Sequence, residues 1–137
     1  MSKTHIGGRP PRYSFLLNPY QDVRFTRCPK CQRLTNLRKF ALLIHLEGRG
    51  LIALGKTSRF CAFCDLIMVH QDELESEIAR IFPHAPSKRL NYHYFVIGTL
   101  PLSLWKSSLR NRLSTETVRH LASDFKNQLK IRPLSDA

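Results

Sequence analysis

Residues 28–64 read CPKCQRLTNLRKFALLIHLEGRGLIALGKTSRFCAFC, and all four cysteines of the 137-residue chain lie at the two ends of this stretch. They form the pairs Cys28-Pro-Lys-Cys31 and Cys61-Ala-Phe-Cys64, with 29 residues between them. A C-x-x-C turn sets two thiolates on one side of an ion. A second such turn, brought alongside by a hairpin, completes a tetrahedron with metal–sulfur distances of about 2.3 Å. The intervening residues predict that hairpin. Phe40, Leu42, Ile44 and Leu46 alternate with Lys39, Ala41, Leu43 and His45, Glu47-Gly48-Arg49-Gly50 supplies a tight connection, and Leu51–Phe60 returns as the second strand. Leu66-Ile67-Met68-Val69 reads as a third strand.

The pattern predicts an α+β fold. Its centre is a zinc-ribbon-like antiparallel β-hairpin, or three-stranded sheet, clamped by a metal site of Cys28, Cys31, Cys61 and Cys64. Two disulfides are the competing use of four cysteines, and a chain kept in a reducing cytoplasm disfavours them. A thioredoxin-type redox pair needs a βαβ setting that the sequence lacks. Four thiolates close the coordination shell, so the metal is expected to be one structural Zn2+. Iron is the alternative, because the gap between the pairs also resembles that of rubredoxins. Those usually carry Gly after each second cysteine, where this chain has Gln32 and Asp65, and they are generally acidic. The six histidines (5, 45, 70, 84, 93 and 120) show no H-x-x-x-H or H-E-x-x-H spacing, and only His45 and His70 are candidates for a place beside the metal. If the metal is structural, Cys28→Ser or Cys61→Ser should unfold the hairpin.

Further elements follow. Asp72 and Glu75 fit a capping box, and Leu74, Ile78, Ile81 and Phe82 fall on one helical face, predicting a helix over 72–82 that Pro83 ends. His84–Ser87 reads as a loop, and Tyr92–Thr99 (YHYFVIGT) as a buried strand closed by Pro101. A short helix is expected within 103–113. A longer one is expected over 114–130, with Val118, Leu121, Ala122, Phe125 and Leu129 as its stripe. The resulting organisation is a flexible basic arm (1–14), one α+β domain (15–132, with its zinc-ribbon part at 24–70) and a frayed end (133–137).

Charge bounds the function. The chain carries 22 Lys/Arg against 10 Asp/Glu, a formal net charge of +12 and a pI near 10.2. Residues 1–64 hold 12 Lys/Arg and two acids, while 65–79 hold five acids and no Lys/Arg. The cysteine-bearing half is therefore the basic lobe, and it stays basic even after about −2 from a divalent metal with four thiolates. A polyanionic partner follows, DNA or RNA. Candidate contacts are Arg9, Arg12, Arg24, Arg27, Lys30, Arg33, Arg38, Lys39, Lys56 and Arg59 for phosphates, with Phe60 and Phe63 as stacking rings. The alternative is a protein adaptor using the helices at 72–82 or 114–130. No nucleophile–base pair, phosphate loop or open metal site points to an enzyme. No apolar run reaches the roughly 18–20 residues that span a bilayer, and no apolar leader is present, so a cytoplasmic location is expected.

The segments FLLNPYQDVRFTRCPKC (15–31), HLEGRGLIALGKTSRFCAFCDLIMVHQDELE (45–75) and YFVIGTL (94–100) resemble a set of uncharacterised bacterial zinc-ribbon-type proteins with two C-x-x-C pairs. The resemblance covers roughly residues 13–100 and rests most heavily on the cysteines. It implies four-thiolate zinc and a cytoplasmic bacterial setting, and it implies no activity, substrate or partner.

Overall fold

A computed structural model describes residues 7–48, 50–81, 93–108 and 115–129. The chain runs β1 (Ser14–Asn18), β2 (Asn36–Leu46), β3 (Gly50–Cys61), β4 (Leu66–His70), α1 (Gln71–Ile81), β5 (Tyr94–Leu100), α2 (Leu102–Ser108), α3 (Thr115–Leu121), β6 (Ser123–Asp124) and β7 (Asn127–Leu129). The expected hairpin is its longest ladder. β2 and β3 pair antiparallel from Asn36↔Phe60 to Leu46↔Gly50, and Gly48 and Gly50 supply the positive φ of the turn (80° and 88°). β4 then returns antiparallel on β3, with Phe60 opposite Ile67.

The sheet does not stop at three strands. It has seven, in the order β6-β5-β2-β3-β4-β1-β7, with β1 parallel to both β4 and β7. The outermost strands are close in sequence. Asp124 ends β6 and Asn127 starts β7, a separation the chain bridges in at most about 11 Å. A flat seven-stranded sheet would hold its edges about 29 Å apart at 4.8 Å per strand. The sheet must therefore curl until its edges meet, and residues 123–129 are the seam. Phe125 N–H donates to the Ile97 carbonyl (2.9 Å) on β5, while Lys126 N–H donates to Tyr13 (2.8 Å) beside β1.

Inside the roll lies the main core, with Phe15, Phe40, Leu42, Ile44, Ile67 and Val69 packed with Leu74 and Ile78 from α1. Outside it are two smaller clusters. Leu16, Leu66 and Met68 lie under Cys28 and Cys61, and Ala41 and Leu43 of β2 are covered by Leu104 and Trp105 of α2. Both faces of β2 are thus buried over 40–44.

Three expectations need correction. The sheet has seven strands where the sequence predicts a three-stranded unit and one further strand; β5 is that further strand, and β1, β6 and β7 extend the sheet beyond these four. The helix expected at 114–130 ends at Leu121, and the chain turns into β6 and β7. Its apolar residues still face the interior: Ala122 and Phe125 are buried, Phe125 stacks on Phe15 at 4.8 Å, and half-buried Leu129 packs beneath the cysteines. The tertiary demand of closing the sheet overrides the helical spacing. The helix expected from Asp72 begins one residue earlier, at Gln71. Glu75 does not cap it and instead accepts hydrogen bonds from Gln71 Nε2 (2.9 Å) and the Tyr94 hydroxyl (2.7 Å). That contact and burial push the Tyr94 phenol well above its ordinary value, burial being the larger cause.

From Gly7 onward the N-terminal arm is tied down. Gly8 N–H donates to Arg119 (2.7 Å), Arg9 N–H to Ala122 (3.1 Å) and Arg12 N–H to Asp124 (2.8 Å), and Tyr13 is buried. Residues 1–6, Phe82 and Pro83, the 84–87 loop, residues 109–113 and the end 133–137 lie outside the described residues.

Candidate metal centre and its basic surroundings

The two cysteine pairs converge. Cys28, Cys31, Cys61 and Cys64 place their sulfurs within 4.8 Å of one another, with Cys28–Cys64 at 3.9 Å and Cys31–Cys61 at 3.5 Å. All four are free thiols. A tetrahedral ion with bonds of about 2.3 Å sets its sulfurs about 3.8 Å apart, so the cluster has the size a metal requires. Cys28 and Cys61 are fully buried, whereas Cys31 and Cys64 are half-buried.

Each pair is held by a tight backbone turn. In the first, Gln32 N–H donates to the Cys28 carbonyl (2.8 Å), Cys28 N–H donates to Arg33 (2.8 Å), and Lys30 N–H points at Cys28 Sγ (3.4 Å). Arg27 and Leu34 close it with a β-bridge. The second pair caps the β3–β4 turn. β3 delivers Cys61, β4 starts at Leu66, and the Asp65 carbonyl between them accepts the Ser14 N–H (2.8 Å) of β1.

Burial and the neighbouring thiols push Cys64 up to about 12, and burial raises Cys61 as well. Burial opposes ionisation of Cys31 too. Hydrogen bonds from the Arg33 backbone and from the thiols of Cys61, Cys64 and Cys28 outweigh it and bring Cys31 down to about 7. A divalent ion bound by these sulfurs would displace their protons.

Some groups that shape this end carry no sequence signal. Buried Thr35 donates to the carbonyls of Phe25 (2.7 Å) and Thr26 (3.2 Å), stapling the two sides of the first cysteine turn. Asn18 Nδ2 and His70 Nε2 both reach the Val23 carbonyl at 2.7 Å and fix the approach to Arg24. His70 therefore serves the backbone, while His45 is an exposed β2 residue. Neither belongs to the cysteine cluster.

The candidate nucleic-acid residues divide. Arg24, Arg27, Lys30 and Arg33 are exposed around the first cysteine turn, and the Arg33 guanidinium lies 4.0 Å over the exposed Phe63 ring of the second. Arg9, Arg12, Arg38 and Lys39 are exposed elsewhere, round the β2 edge, and Arg59 is half-buried. Phe60 is no stacking platform. It is buried against Tyr13 (5.7 Å) and Phe40 (5.2 Å), because its strand position points into the roll. Lys56 is spent internally: its ammonium sits 2.9 Å from Glu73 and 3.7 Å from Glu77 on α1.

Comparison with protein-family models, with curated proteins and with solved structures returns no match. No helix among the described residues is long and apolar enough to cross a membrane.

Proposed function

We propose that this chain is a zinc-stabilised, basic nucleic-acid-binding module, a component of a larger DNA- or RNA-processing complex in the bacterial cytoplasm, and a binder rather than an enzyme. The observation that carries the reading is the pairing of Arg33 with Phe63. A guanidinium lies 4.0 Å over a ring that is 67% exposed, and the cysteine cluster links the two turns that bear them. A cation for phosphate beside a ring for a base is the working unit of single-strand binding. Arg24, Arg27 and Lys30 surround it. Among the described residues the ion pairs engage only Lys56 and His70, so Arg27, Lys30 and Arg33 form none, while Arg24 lies close enough to Glu73 to help lower its carboxyl.

Zinc is favoured over iron on charge. The missing glycines at Gln32 and Asp65 do not separate the two metals, because the backbone there takes the left-handed form that glycine favours (φ 66° and 53°). The strongly basic lobe supports zinc, since electron carriers of the rubredoxin type are generally acidic. Metal analysis of the purified protein decides this directly: a colourless protein with one zinc per chain supports the reading, and a red, iron-loaded one overturns it.

The binding test uses nuclease-treated protein and labelled single- and double-stranded DNA and RNA across a salt series. Submicromolar binding with a steep salt slope is expected, weakened when Arg27→Glu and Lys30→Glu are combined. A second reading, a protein adaptor, draws on exposed Leu34 (70%) and Leu37 (62%) near the same end. The absence of nucleic-acid binding at low salt would leave that reading in its place.

A further inference from the structure

β2 outruns its neighbour on one side. β5 pairs with β2 from Leu46 back to Ala41, opposite Leu100, and stops there because Pro101 has no N–H and α2 begins at Leu102. Residues 36–40 of β2 are therefore paired with β3 alone among the described strands. Against this open edge lies a cleft of about 220 Å³. Arg9 and Arg12 of the N-terminal arm line it together with Arg38 and Lys39 of β2, and Thr99 and Ser123 contribute to its walls. Among the described residues no carboxylate lines it. Asp124, next in the chain to Ser123, accepts the Gly7 N–H at 2.6 Å.

Three of the four cationic heads lie over rings. Arg12 is 4.6 Å over Tyr13, Arg38 is 5.1 Å over Phe40 and 5.3 Å over Phe60, and Lys39 is 4.7 Å over Trp105. A guanidinium resting on a ring keeps its N–H edge free for an oxyanion and is already ordered for it. Arg38 and Lys39 are neighbours on β2 and leave its opposite faces, Arg38 beside the rings of the roll and Lys39 beside Trp105. The cleft thus takes cationic residues from two segments and from both sides of the strand edge, with no carboxylate among its described walls, an arrangement an anion would relieve. Size narrows the ligand. Sites for whole small molecules run to about 300–1,000 Å³, so this cleft suits a single phosphate group rather than a complete cofactor.

We infer that the cleft formed by Arg9, Arg12, Arg38 and Lys39 at the β2 overhang is a phosphate-binding site, separate from the metal end. The inference about its ligand rests on the nucleic-acid reading above: the phosphate belongs to the backbone of one strand that runs from the Arg33–Phe63 unit past the overhang. A free phosphate compound shares this chemistry, so the test separates the two sources.

Trp105 is the chain's single tryptophan and carries the Lys39 ammonium, so its emission reports on the cleft. The full chain is titrated with a single-stranded oligonucleotide and, separately, with inorganic pyrophosphate. The same titrations are run on the Arg9→Gln/Arg38→Gln variant and on Arg12→Gln, each checked for retained circular dichroism and metal content. Arg12→Gln keeps the test open should loss of Arg38 packing unfold the first variant. The expected result is a Trp105 emission change on oligonucleotide binding. Affinity should fall about tenfold in the double variant, and its salt slope should drop by about 1.4, since each lost single-strand phosphate contact removes about 0.7. Oligonucleotide binding with silent Trp105 and unchanged affinity in both variants would overturn the cleft and leave the proposed function standing. Pyrophosphate binding that the variants abolish, without any oligonucleotide binding, would keep the phosphate site and overturn the nucleic-acid reading. Binding of neither ligand overturns both.

Discussion

Gln32 and Asp65 occupy matching places: each directly follows the second cysteine of its pair, and each holds a left-handed backbone, with φ of 66° and 53°. The two turns are the same device used twice, and the device bends the chain so that both sulfurs of a pair face inward. A non-glycine residue in this region pays roughly 1–2 kcal/mol, and Asp tolerates it better than Gln. Gln32→Gly should therefore stabilise the metal-loaded protein by about 1 kcal/mol, read as a higher urea midpoint. Asp65→Gly should change it less, and Gln32→Val should lower it. A destabilised Gln32→Gly variant would show that the left-handed turn is not a source of strain.

Removing the metal should loosen one end of the protein rather than unfold all of it. The cysteines sit in a small cluster with Leu16, Leu66 and Met68, whereas the main core inside the roll uses other residues and the long β2–β3 ladder. This revises the expectation that a cysteine variant unfolds the hairpin, which would hold for a ribbon standing alone. After chelation, or in Cys61→Ser, amide exchange should become fast at Cys28, Lys30, Gln32 and Thr35 while residues 41–44 remain protected. Global loss of protection on chelation would refute this division.

The seam between β3 and α1 should be acid-sensitive. The Lys56 ammonium, hydrogen-bonded to Glu73 at 2.9 Å, holds the Glu73 carboxyl below its ordinary value. A carboxyl depressed by folding adds stability that is fully present above its unfolded pKa. That stability disappears as the pH falls through the folded value. Glu73→Gln should therefore lower stability slightly at pH 7 and leave it nearly unchanged at the acid end, flattening that limb of the pH profile. The effect is small because Glu73 is largely exposed, and an identical pH profile in the variant would remove the ion pair from the account.

The local parts of this fold were legible in the sequence, and the closing parts were not. The cysteine spacing and the Gly48/Gly50 turn act within the hairpin unit, so residues 28–70 could be read directly. Ser14–Asn18 gave no such signal. Its partners in β4 and β7 are about 50 and 113 residues away, and parallel pairing leaves no turn motif. Phe60 and Lys56 depart from their expected roles for a related reason. Their residue types suit a nucleic-acid surface, but only the pairing register shows that one faces the core and the other faces α1. The clustering of Arg9 with Arg38 likewise depends on the arm docking beside β6, a contact between segments far apart in the chain.

The region that departs furthest from its sequence pattern supplies the sharpest stability test. Val118, Ala122, Phe125 and Leu129 are spaced as a helical stripe, yet the chain leaves the helix at Leu121 and lays Phe125 flat against Phe15, at 4.8 Å and 13° between ring planes. Phe125 joins the two edges of the sheet, since its N–H donates to Ile97 of β5 while its ring covers β1. Phe125→Ala should cost about 3–4 kcal/mol, the usual loss for a buried phenylalanine, and should speed exchange at Lys126, whose N–H is held by the Tyr13 carbonyl. Phe125→Leu should recover most of the stability, because the seam needs apolar volume more than a ring. If 114–130 were one continuous helix instead, the alanine variant would gain helix propensity and the Lys126 amide would stay as protected as its neighbours.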